Sequence, residues 1–248
     1  MSTALAVALL GGRDLAGPLA ERTGVTVAAT TAADHLDVCR RLGADVDLVV
    51  GVATVPWPVE PELHARGSAE LPAYTGVVSW HALPALHEQL AQAVAPGASG
   101  GAHVLVTAPD PGPDLEPGDA TFLREVAAAV GERVEPASVT IAWRGTTRTP
   151  TAEAALRALV DAHGRRDVVE CPVAPGTGGD AALLATAEEL GVRLTTADLG
   201  RATQLDLLTE VVATVADHEL DGGVGGSSGP DTPSRFDGPD DADRTSGA

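Results

Sequence analysis

The stretch Val25–Pro56, VTVAATTAADHLDVCRRLGADVDLVVGVATVP, decides the fold because it is written again at Val139–Gly176, VTIAWRGTTRTPTAEAALRALVDAHGRRDVVECPVAPG. Each copy is a short β-branched run, a helix opening at Thr31 or Thr151, and a longer apolar run. The phase continues outward. Ala4–Leu10 and Asp14–Arg22 precede the first copy as strand and helix, as His103–Thr107 and Asp119–Val130 precede the second. Gly76–Trp80 and Ala82–Val94 follow the first, and Val192–Thr196 and Gln204–Val215 follow the second. Strands alternating with helices imply right-handed crossovers and parallel sheets covered on both faces. The expectation is an α/β protein of two similar lobes, each a parallel four-stranded sheet flanked by helices. Residues 1–95 form the first lobe and 102–218 the second. A flexible joint at 96–101, inside PGASGGA (Pro96–Ala102), separates them. Open α/β sheets bind ligands beyond the carboxyl ends of their strands, so a site is expected in the cleft between the lobes.

Of the 248 residues 44% are hydrophobic but only 2% aromatic, so the core must be built from Val, Leu and Ala. The charge is more unusual: 35 acidic residues stand against 16 basic ones, and every basic residue is Arg. A net charge of −19 repels phosphate backbones and anionic lipid surfaces, which argues against nucleic-acid and membrane partners. An acidic, lysine-free chain fits a salt-loaded cytoplasm, where screening offsets self-repulsion. The two cysteines, Cys39 in a helix and Cys171 in a strand, read as small buried apolar groups in a reducing compartment. The first apolar run, Ala4–Leu10, is short and followed by Gly11-Gly12, so it reads as a strand rather than a signal peptide, and a cytoplasmic location is expected. Residues 219–248, rich in Gly, Ser, Pro and Asp, read as a disordered acidic tail.

Six stretches resemble the sirohydrochlorin cobalt- and iron-chelatase family. They are HVLVTAPDPGP (His103–Pro113), TPTAEAALRALVDAHGRRDVVECPVAPG (Thr149–Gly176), DAALLATAEELGVRLTTADLG (Asp180–Gly200), RATQLDLLTEVVATV (Arg201–Val215), DLVVGVATVPWPVEPELHARGSAELP (Asp47–Pro72) and SWHALPALHEQLAQAV (Ser79–Val94). The resemblance implies a chelatase-like fold in its duplicated form. It also implies a tetrapyrrole partner and a divalent metal, Co²⁺ or Fe²⁺, taken as substrate in the cobalamin or sirohaem branch, with no organic cofactor. The family keeps histidines in the turns after its first and third strands. Here the first-strand turns read LLGGRD (Leu9–Asp14) and VTAPDPGP (Val106–Pro113), without one. A non-catalytic paralogue, pairing with itself or with an intact chelatase, and a metal-independent two-lobed binder therefore stand beside the enzyme.

Metal insertion needs a neutral imidazole or a carboxylate to accept pyrrole protons. His64 and His81, each just past a strand-like run of the first lobe, are the candidate proton acceptors and metal ligands, with Glu62 between Glu60 and Glu70 as a hard ligand. His87 lies one and a half turns into the helix that follows. The turn Pro175–Asp180 offers backbone N–H groups at Gly176, Thr177, Gly178 and Gly179 to a substrate carboxylate, and Arg144 and Arg148 offer guanidinium forks. No Gly-x-Ser-x-Gly elbow, Cys-x-x-Cys pair or Gly-x-Gly-x-x-Gly fingerprint is present, which argues against a hydrolase or dinucleotide enzyme.

Because the acidity is uncompensated by Lys, the melting temperature should rise between low and molar KCl. A flat or falling curve would show the acidity to be incidental.

Overall fold

The computed structural model describes residues 4–54, 67, 69–98, 100–110, 121–164, 167–174 and 179–221. In the first half, β1 (Leu5–Leu10) leads through a single 3-10 turn into α1 (Ala16–Thr23), then β2 (Thr26–Thr30), α2 (His35–Leu42), β3 (Leu48–Ala53) and β4 (Tyr74–Ser79). Helix α3 (Pro84–Ala98) connects to the second half: β5 (His103–Pro109), α4 (Thr121–Val134), β6 (Ser138–Arg144), α5 (Ala152–His163), β7 (Val168–Pro172), α6 (Ala181–Leu190), β8 (Leu194–Thr196) and α7 (Arg201–Asp221). The strands form two parallel sheets in the same order, β2-β1-β3-β4 and β6-β5-β7-β8. The duplication read from the sequence is therefore real at the level of topology.

Local chemistry explains the boundaries. Thr151 accepts the Ala154 N–H at 3.2 Å and Asp180 accepts the Ala182 N–H at 2.8 Å, each satisfying a donor that the first turn of its helix leaves open. Gly191 ends α6 in the left-handed region at φ 64°. The first copy starts later than expected. Thr31 bonds Asp34 through its hydroxyl and accepts the Asp34 N–H, making a turn of its own, and α2 opens at His35.

Each sheet has one face covered locally. Leu36, Val38 and Cys39 of α2 pack on Ala6, Ala8 and Val49, while Ala155 and Leu156 of α5 and Leu183 and Ala187 of α6 pack on Leu105 and Val168. The opposite faces share one continuous core. Val7, Leu9, Val50 and Val52 of the first sheet and Val104, Val106, Val169 and Cys171 of the second belong to the same buried cluster. It is assembled by exchange: α3, which follows the first sheet, packs on α4 and β7, and α7, which ends the second half, packs on α1 and β3. The joint expected at 96–101 is corrected accordingly, since Pro96, Gly97 and Ala98 belong to α3, and the halves are linked by two helical crossings. Gly97 lies so close to β7 that a Cβ there would meet Val169 Cγ2 at 2.9 Å.

Of the tail expected at 219–248, residues 219–221 continue α7, and 222–248 lie outside the described residues. Leu207, Leu208, Val211, Val212 and Val215 of α7 are all buried in the shared core. At roughly 2 kcal/mol each they contribute about 10 kcal/mol, as much as the whole net stability of a domain. A chain ended after Leu199 should not fold, whereas one ended after Asp221 should keep its melting temperature. Circular dichroism on the two truncations checks both outcomes.

Candidate functional site

The carboxyl ends of the two sheets meet at His81. It follows β4, is 5% exposed, and reaches the second half, where its Nε2 lies 2.9 Å from the carbonyl oxygen of Val173, just past β7. A carbonyl can only accept, so the proton is assigned to Nε2. Trp80 Nε1 approaches the same nitrogen at 3.3 Å, but an indole N–H can only donate, and the shorter contact decides the tautomer. Nδ1 is then left as an acceptor for the Ser79 hydroxyl at 2.9 Å, while Ser79 Oγ accepts the His81 backbone N–H. Phe122 of α4 lies against the ring, 4.8 Å between centroids. Burial pushes the His81 pKa down to about 4, against the pull of the Val173 carbonyl; the nearby His87 adds to the lowering. The imidazole is therefore neutral near pH 7, as a proton acceptor must be, but both its nitrogens are engaged in joining the halves.

The remaining expected residues are dispersed. His64, Glu62, Gly176, Thr177 and Gly178 lie outside the described residues. Glu70 faces Arg40 at 3.6 Å. Among the described residues no group of three or more His, Cys, Asp or Glu side chains could hold a metal ion. Burial pushes the thiols of Cys39 and Cys171 up to about 12, so both stay protonated and serve as core. No helix among the described residues is long and apolar enough to cross a membrane.

Arg144 and Gly179, expected to meet substrate, are both engaged by a residue that sequence reasoning passed over. Glu170, in the middle of β7, is fully buried. Its Oε1 takes the Arg144 guanidinium and the Thr107 hydroxyl, the latter at 2.9 Å, and its Oε2 takes the Gly179 N–H and the Thr196 hydroxyl, each at 3.1 Å. Arg144 Nε also donates to Thr107 Oγ1 at 3.2 Å. A carboxylate can be buried only if paired and hydrogen-bonded, and this one is both. The signal was present: one acidic residue inside an apolar strand run, with an Arg closing the strand that precedes it in the sequence. The backbone N–H of Arg148 bonds Asp110 Oδ2 at 3.2 Å.

No protein-family model and no curated protein sequence matches this chain. Solved structures do. CbiX, described as the terminal enzyme for biosynthesis of siroheme in denitrifying bacteria, matches with a TM-score of 0.58 at 18% identity, over 85% of this chain and 98% of that one. A periplasmic ribose ABC transporter from Conexibacter woesei matches with a TM-score of 0.49 at 10% identity, over 88% and 86% of the two chains. The CbiX likeness establishes a chelatase-like fold.

His81 also sets a pH dependence. Its folded pKa of about 4 lies below the ordinary value of 6.5, so the folded state disfavours its proton. Its contribution is complete above pH 6.5 and is lost as pH falls towards 4, by up to about 3 kcal/mol. His81→Gln, which keeps a donor for Val173, should flatten the unfolding free energy by about one bound proton across that window. Denaturant titrations of both proteins from pH 4 to 7 at constant KCl measure the difference, and identical slopes would place the proton linkage elsewhere.

Proposed function

We propose that this chain is a tetrapyrrole-handling protein of the chelatase type, taking a polycarboxylate macrocycle of the sirohydrochlorin class, with Co²⁺ or Fe²⁺ as the second substrate. The observation that carries this reading is the fold likeness to CbiX across 98% of that enzyme's length. The position of His81 agrees with it, because a neutral imidazole lies where the carboxyl ends of both sheets converge. In this reading His64 is the proton acceptor and metal ligand with Glu62 beside it, and His81 holds the two halves at the spacing the macrocycle requires. Thr177 and its neighbours Gly176 and Gly178 would meet substrate carboxylates.

A second reading, a paralogue that binds the macrocycle without inserting metal, alone or as the partner subunit of an intact chelatase, is favoured by the engagement of both His81 nitrogens. Absorbance spectroscopy with sirohydrochlorin and Co²⁺ or Fe²⁺ in molar KCl separates the two. The enzyme reading expects a metal-dependent spectral change that falls by ~10²–10⁴-fold in His64→Ala, with the melting temperature unchanged. Macrocycle binding without insertion in the wild type would leave only the paralogue. Binding of neither macrocycle nor metal would reduce the likeness to one of fold.

A further inference from the structure

A cavity of about 990 Å³ opens in the first half over the carboxyl ends of β1 and β2, walled by the turn Gly11–Arg13 and by Thr31, Asp34 and Arg41. This is the volume of a small-metabolite site, in the place where open α/β sheets bind their ligands. It shares no residue with the seam at His81.

The duplication shows what such a place can hold. The Thr54 N–H bonds the Leu10 carbonyl as the Val173 N–H bonds the Thr107 carbonyl, and Ala8 pairs with Gly51 as Leu105 pairs with Glu170. Leu10 therefore corresponds to Thr107, and three residues on, Arg13 corresponds to Asp110. In the second half the Asp110 carboxylate occupies this crevice. It accepts the N–H groups of Thr147 at 2.7 Å and Arg148 at 3.2 Å, together with the Thr147 hydroxyl. Those donors come from the connection 145–151, which runs between β6 and α5. The corresponding connection between β2 and α2 is only residues 31–34, and the crevice beneath it stays open.

Two of the three guanidinium groups at that opening pair with no carboxylate, although Asp34 and Asp37 line it too. Among the described residues Arg22, Arg133, Arg144, Arg157 and Arg193 each hold an acidic side chain, and at the cavity itself Arg40 holds Asp37 at 2.6 Å. Arg13 and Arg41 have no acidic partner among the described residues. In a chain of net charge −19 with only 16 cations, two unpaired ones on a single cavity call for a negative ligand. Gly11 and Gly12, at φ 79° and 57°, bring backbone without Cβ atoms to the same wall.

We propose that this cavity binds a small molecule through an oxyanion, a carboxylate or a phosphate, that takes the place Asp110 fills in the second half. Arg13 and Arg41 hold the oxyanion by charge-assisted hydrogen bonds. Asp34, whose Oδ2 already accepts the Thr31 hydroxyl at 3.0 Å, offers its other oxygen to a hydroxyl of the same ligand.

Isothermal titration of the full chain with inorganic phosphate and with citrate, at the lowest KCl that keeps it folded, tests this. Saturable binding of either probe is expected, weakened ~10-fold or more in Arg13→Gln and in Arg41→Gln. Both arginines are exposed, so the melting temperature of the free variants should match the wild type. Arg124→Gln, an exposed substitution on α4, should leave binding unchanged. Binding of phosphate alone identifies a phosphate ligand, and of citrate alone a carboxylate. Absence of binding for both probes up to about 10 mM, or binding that survives the paired substitution of Arg13 and Arg41, overturns the proposal.

Discussion

A parallel sheet must be covered on both faces, because its strands are apolar on both. This chain meets that requirement for each half with a helix borrowed from the other. Neither set of strands has enough helices of its own: α2 covers one face of the first sheet, and α1 covers only part of the second face until α7 returns from the far end of the chain. Exchange makes the two halves one cooperative core. Trp80, the largest fully buried side chain among the described residues, belongs to that core and sits beside His81, so the histidine that joins the halves is held by the packing that joins them.

The duplicated frame separates what folding demands from what each half has kept for itself. Corresponding positions on the helix-covered faces hold Gly51 in β3 and Glu170 in β7. At Gly51 a Cβ would strike Val77 Cγ2 at 2.7 Å and His35 Cε1 at 2.9 Å, because the buried imidazole of His35, bonded to the Tyr74 hydroxyl at 3.1 Å, fills the space. At Glu170 the strand itself supplies the polar group, and Arg144, Thr107, Thr196 and the Gly179 N–H converge on it. Both solutions obey the same rule: a polar group enters the layer between helix and sheet only with its partners. The difference lies in where those partners come from. His35 is served within its own helix and a neighbouring strand, whereas Glu170 ties four strands and a turn together.

Period and punctuation made most of the fold legible. Apolar runs marked the strands to within about two residues, and Thr151, Asp180 and Gly191 marked helix ends by chemistry that operates locally. The exchange of α3 and α7 was not legible, because an amphipathic helix announces that it needs a sheet but not which one. Pro96 and Gly97 misled for the same reason: read as a joint, they finish a helix whose glycine permits close approach to β7. Of the site, His81 was legible as a residue beyond a strand end. Its burial and its bond to Val173 depend on how the halves dock, which no local pattern encodes. Arg144 was legible as a cation but not as half of a buried pair, because Glu170 is separated from it by a whole helix.

The two halves have used the same places differently, and this bears on where chemistry can occur. Over β5 and β6 the Asp110 carboxylate holds the 145–151 connection, and beside it Glu170 neutralises Arg144. A parallel sheet presents such a crevice wherever strand ends and helix starts diverge, and over β5 and β6 the chain's own carboxylate bonds there. The first half differs. Its turn carries Gly11, Gly12 and Arg13, its connection is short, and Arg13 and Arg41 have no acidic partner among the described residues. The shared core couples the two halves, so a ligand bound over β1 and β2 would act on a sheet whose other face packs against the second half.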